Sequence, residues 1–67
     1  MNNFWLNRFR QGRMVAYKGD SNKELRGKVG FVIKSNIGSV DVQFEFPGMF
    51  MPYKKIFTVD KTELELI

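Results

Sequence analysis

Residues 12–20, G-R-M-V-A-Y-K-G-D, lead through a polar segment into residues 26–34, R-G-K-V-G-F-V-I-K, and then residues 38–46, G-S-V-D-V-Q-F-E-F. Apolar residues alternate with polar or charged ones, the period of a half-buried strand. Glycines punctuate the strand starts and the turns between them. The pattern predicts a small barrel built for binding rather than catalysis.

Working outward, Arg13–Tyr17 forms the first strand, with either Val15 and Tyr17 or Met14 and Ala16 inward. Gly19–Arg26 is a polar loop. Gly19 offers tolerance of positive φ, and Asp20, Ser21 and Asn22 carry side chains that bond the local backbone. Leu25 tucks back into the core. Lys28–Lys34 is the second strand, with Val29, Phe31 and Ile33 on one face and Gly30 and Val32 on the other. Gly30 inside a strand implies a bend or a close strand crossing. Ser35–Gly38 is a turn in which Asn36 and Gly38 suit positive φ. Ser39–Phe46 is the third strand, with Val40, Val42, Phe44 and Phe46 facing one way and Asp41, Gln43 and Glu45 the other. Pro47-Gly48 ends it. Lys55–Val59 is the fourth strand, with Ile56, Phe57 and Val59 as burial candidates. Asp60-Lys61-Thr62 makes a tight turn. Glu63–Ile67 is the last strand, with Leu64 and either Leu66 or Ile67 inward. Five short strands in so short a chain curl into one bent antiparallel barrel, an all-β fold that hides most edges.

The first eleven residues form an arm, and residues 12–67 the barrel. Asn2–Gln11 fits a short amphipathic helix that is too short to stand alone and must dock. Docking of Phe4, Trp5 and Phe9 on one end of the barrel is favoured over contact with a partner.

Composition narrows the chemistry. The 67 residues hold no cysteine and no histidine. Disulfides, thiol chemistry and imidazole-based catalysis or metal binding are therefore excluded. The core must rely on packing, and seven Phe, two Tyr and one Trp supply the volume. No apolar run approaches a membrane span, and residues 1–10 lack the layout of a secretory signal. The expectation is a soluble, cytoplasmic protein with no membrane partner and no cofactor. The acids Asp20, Asp41, Glu45, Asp60, Glu63 and Glu65 are scattered without a spacing that suggests shared acid–base work. R-G-K-V-G lacks the spacing and the Lys-Ser/Thr end of a phosphate-binding P-loop.

Charge is unevenly distributed. Residues 1–34 carry eight bases against two acids, whereas residues 35–67 carry three bases against five acids. A basic half suits a polyanionic partner. Lys18, Lys23, Arg26 and Lys28 flank one loop, where they can neutralise phosphates. Tyr17, Phe50 or Tyr53 can offer a stacking face to unpaired bases, unless Tyr17 packs in the barrel. Lys54 and Lys55 form a second, smaller basic site. Binding of this kind is directed at the backbone rather than at base sequence. The rival reading is a protein-binding module. Residues 48–53, G-M-F-M-P-Y, are rich in apolar residues around two prolines. Exposed, Met49, Phe50, Met51 and Tyr53 form an adaptable apolar patch; buried, they form a loop that closes the barrel. Trp5, Arg8 and Arg10 add an aromatic–basic arm.

On Gly12, residues 14–17, Gly19, Gly27-Lys28-Val29-Gly30, Val32-Ile33 and Val40, Val42 and Phe44, the chain resembles the KOW-type SH3-like barrels of NusG-like transcription factors and several ribosomal proteins. The closing V-D-K-T-E-L-E-L-I looks like the helical turn and last strand of such barrels. The resemblance covers most of the chain after residue 11. Asp20 and Ser21 depart from the Gly-Pro or Gly-Lys often found after the loop glycine. Similar small stand-alone barrels are common among phage proteins. The resemblance implies binding to RNA, DNA or a protein of the transcription or translation machinery, in the host cytoplasm if the chain is phage-encoded. A phage-encoded modulator of a host enzyme is the alternative.

Overall fold

The computed structural model describes residues 9–67. Trp5, Arg8 and most of the expected Asn2–Gln11 helix lie outside the described residues. The protein is all-β, with five antiparallel strands in one sheet. These are β1 (Met14–Tyr17), β2 (Val29–Ser35), β3 (Ser39–Phe46), β4 (Tyr53–Asp60) and β5 (Leu64–Leu66). Their order across the sheet is β4-β3-β2-β1-β5. Short 3-10 turns occupy Lys23–Leu25 and Lys61–Glu63. The sheet is not closed: β4 and β5 are its two edges, so the expected barrel remains an open sheet. No helix among the described residues is long and apolar enough to cross a membrane.

One face of the sheet forms the core. β3 supplies Val40, Val42, Phe44 and Phe46, as its strict alternation requires. β1 turns Val15 and Tyr17 inward, which resolves the choice left open by its sequence. Val32, Val59 and Leu64 come from the remaining strands, with Leu66 packed at the margin and Ile67 exposed. Phe9 docks against this cluster from the chain before the sheet, and Leu25 from the loop between β1 and β2. Each such side chain contributes about 1.5–3 kcal/mol on burial.

β2 is apolar on both faces, and the register decides which one turns in. Gly30 pairs with Phe44 and Val15, and Val32 with Val42. A Cβ at Gly30 would come within 2.6 Å of the Gln43 carbonyl oxygen and 2.7 Å of Val42 Cγ1. The glycine therefore leaves the room that Val42 and Phe44 fill. Val29 and Phe31 are left exposed on the outer face. Between Val32 and Lys34 the ladder with β3 shifts register, and Ile33 is the extra residue. Such a bulge re-aims the strand, so Lys34 pairs with Asp41 while Ser35 pairs with the buried Val40.

β4 begins two residues before its expected start. Ile56 pairs with Gln43 on the outer face, while Phe57 pairs with Val42 on the inner one. Neighbouring strand residues face opposite ways, so Ile56 and Phe57 cannot both be buried. Asn36 and Gly38 do not take positive φ; among the described residues only Gly12 and Gly27 do, at 88° and 75°. Gly19 likewise avoids positive φ and instead lies against the Glu63 carboxylate, where a larger residue would collide.

Candidate functional site

The loop between β1 and β2 is closed at its base by backbone bonds. Tyr17 N–H donates to the Lys28 carbonyl at 2.9 Å, and Lys18 N–H to the Glu63 carbonyl at 2.8 Å. Asn22 caps the 3-10 turn by accepting from Glu24 N–H at 3.0 Å. The buried Tyr17 ring carries its hydroxyl to the loop, where it donates to Glu63 Oε2 at 2.9 Å and accepts from Asn22 N–H at 3.0 Å. Ser21 also donates to that carboxylate oxygen. These two hydroxyl donors, Ser21 first and then Tyr17, hold the Glu63 carboxyl below the usual range. Tyr17 is only 3% exposed, so it is a structural anchor and offers no stacking face.

The basic residues of this loop divide. Lys18 and Lys23 are exposed. Arg26 Nη2 lies 3.6 Å from Asp20 Oδ1, a surface pair that takes up part of its charge locally. Lys28 turns away from the loop. Its Nζ donates to the Glu45 carbonyl at 3.2 Å and stands 4.7 Å from the centroid of the Phe46 ring.

Lys28 thereby joins an aromatic cluster at one end of the inner face. Phe46 and Tyr53 are directly paired across β3 and β4, and their rings stack at 5.6 Å with a 23° interplanar angle. Phe57 lies 5.8 Å from Phe46 and meets Phe44 edge-on at 6.0 Å. Lys55 Nζ sits 5.4 Å from the Phe57 centroid. Two ammonium groups thus bracket an aromatic surface whose outermost ring, Tyr53, is 49% exposed. A shallow depression adjoins it, between Ser21 and Asn22 of the loop and Phe57 and Thr58 of β4.

Lys54 and Lys55 do not form one basic site. Strand alternation sends Lys55 to the inner face, whereas Lys54 pairs with Glu45 on the outer one. Met49, Phe50 and Met51 stand in the β3–β4 connection at 90%, 94% and 72% exposure, as an exposed patch would require. Arg10 is exposed beside the buried Phe9.

Sequence reasoning missed a second apolar surface on the outer face. Met14, Phe31, Gln43 and Ile56 lie in one row across four strands, with Val29 beside them, and every apolar member is exposed. The available signal was that β2 is apolar on both faces. Comparison with protein-family models, curated proteins and solved structures finds no match.

Proposed function

We propose that the protein is a non-catalytic binding domain for single-stranded nucleic acid. The observation that carries this reading is the aromatic surface of Phe46, Tyr53 and Phe57, bracketed by Lys28 and Lys55. A base stacked on Tyr53 gains a π-face contact that tolerates any sequence, while ammonium groups on either side neutralise adjacent phosphates. Lys18 and Lys23 extend the positive surface along the neighbouring loop. The strand meander, with a 3-10 turn immediately before L-E-L of β5, supports assigning the domain to the KOW-type, SH3-like class. On that assignment the partner is RNA or DNA within a transcription or translation assembly, in the cytoplasm.

Fluorescence anisotropy with labelled single-stranded DNA and RNA oligomers tests this reading. Affinity should fall steeply with salt, and Tyr53→Ala should weaken it about tenfold or more, the scale of one lost stacking contact. Charge reversal at Lys28 and Lys55 should abolish binding at moderate salt. Unchanged binding after reversal at Lys18, Lys23 and Arg26 would remove the loop from the interface. Absence of binding at low salt sinks the proposal. The second reading is a protein-binding module, a phage-encoded modulator of a host enzyme among them, favoured by the exposure of Met49, Phe50 and Met51.

A further inference from the structure

The two edges of the sheet are unequal. β5 has three residues, whereas β4 has eight and pairs only with β3 among the described residues. The β3–β4 ladder runs through eight consecutive pairs without a bulge, and β4 contains no proline. A long, regular edge without proline or bulge is a template for another strand. The side chains along it select which one.

We infer that β4 pairs antiparallel with β4 of a second copy of this chain, around a two-fold axis at Phe57. In that register Lys54 stands opposite Asp60 of the second copy, and Asp60 opposite its Lys54. Phe57 then meets its own counterpart, Ile56 meets Thr58, and Lys55 meets Val59. Neighbouring two-fold registers lack this match. Centring on Ile56 sets Lys54 opposite Thr58 and leaves no ion pair. Centring on Thr58 sets Asp60 opposite Ile56 and likewise leaves no ion pair within the strand. Opposite charges directly across an antiparallel pair stabilise it, and like charges oppose it. The edge is thus self-complementary in one register, as a two-fold interface demands. Lys54 and Asp60 are both exposed and both lie on the outer face, where the pair would form.

Pairing in this way makes one continuous ten-stranded sheet. It sets Phe57 beside Phe57 and brings the two Tyr53–Phe57 surfaces together on the inner face. The inference stands on the edge alone and holds whether or not these surfaces bind nucleic acid.

Sedimentation equilibrium on the full chain, without nucleic acid, reads the result. The protein should show a reversible monomer–dimer equilibrium. Lys54→Glu faces Asp60 with a like charge at both ends of the interface, and should raise the dimer dissociation constant about tenfold or more. Asp60→Lys should do the same. An equimolar mixture of the two variants restores both opposite-charge pairs and should dimerise where neither does alone. Asp60 also accepts hydrogen bonds from Thr62, so its variant is checked by circular dichroism. Should that variant unfold, Ile56→Cys combined with Thr58→Cys, in a chain with no native cysteine, should cross-link two chains on oxidation. A monomer at every concentration overturns the inference, as does a dimer indifferent to Lys54→Glu or a failure to cross-link. Pairing of β4 only with a strand from another protein would appear as that monomer.

Discussion

Glu63 carries more of the loop than its exposed surroundings suggest. Its carboxylate accepts from Ser21 and Tyr17 and occupies the space beside Gly19. Hydrogen bonds to the charged form favour it, so its folded pKa lies below the unfolded value. Asp60 is shifted the same way by the Thr62 backbone N–H and then its hydroxyl. For groups lowered on folding, the associated stability is present above the unfolded pKa, near 4.3 for a glutamate. It is lost as pH falls through the folded value. Acid titration followed by circular dichroism should show stability declining below about pH 4.3. Glu63→Gln should flatten that decline and loosen residues 18–28 in amide exchange. An unchanged acid profile would remove Glu63 from the anchor. Gly30 is the other position where one atom decides. Gly30→Ala drives a methyl into the Gln43 carbonyl and the Val42 side chain, backbone on one side and packed core on the other. It should cost about 1–3 kcal/mol in urea denaturation. A neutral result would mean that β2 and β3 can separate without penalty.

The strands were legible to different degrees, for reasons that differ in range. β3 occupies Ser39–Phe46, the bounds its alternation predicts, because one buried face is a local signal. Leu25 in a polar loop was equally plain, since one apolar residue among seven polar or glycine neighbours has few other uses. β2 could not be oriented from its own residues. Its inner face was selected by the bulk of Val42 and Phe44 on the partner strand, which is non-local information. The same holds for the functional surface. The lysines were visible as charge, but whether Lys28 follows the loop or crosses to Phe46, and whether Lys54 and Lys55 act together, depends on strand parity and pairing. The apolar composition of the β3–β4 connection suits either an exposed patch or a buried loop, and the structure leaves its tip in solvent. Phe50→Ser should therefore change stability by no more than about 0.5 kcal/mol. Thermal denaturation checks this. If the variant keeps its stability and nucleic-acid affinity but loses capture of a protein partner, the protein-binding reading gains its contact residue.

The whole molecule has a narrow margin. A chain of 67 residues buries a smaller share of its surface than a larger domain does, and a single core of this size rarely supplies more than about 3–5 kcal/mol. No cysteine is present to add a covalent constraint. The stability therefore rests on a small set of side chains that meet across all five strands. Phe44 is the largest of those that are fully buried. It faces Gly30 across β2 and Phe57 from β4, so it links the centre of the sheet to the edge that carries the aromatic surface. Truncation of a buried phenylalanine costs about 3–5 kcal/mol, which is of the same order as the whole margin. Phe44→Ala should thus leave the domain largely unfolded at 25 °C, seen as collapsed amide dispersion in a proton–nitrogen spectrum. Association through β4 binds only the folded state, so raising protein concentration should shift that spectrum back towards the folded one. A well-dispersed spectrum for the variant at low concentration would show that the core tolerates the cavity and that the margin is wider than the chain length implies.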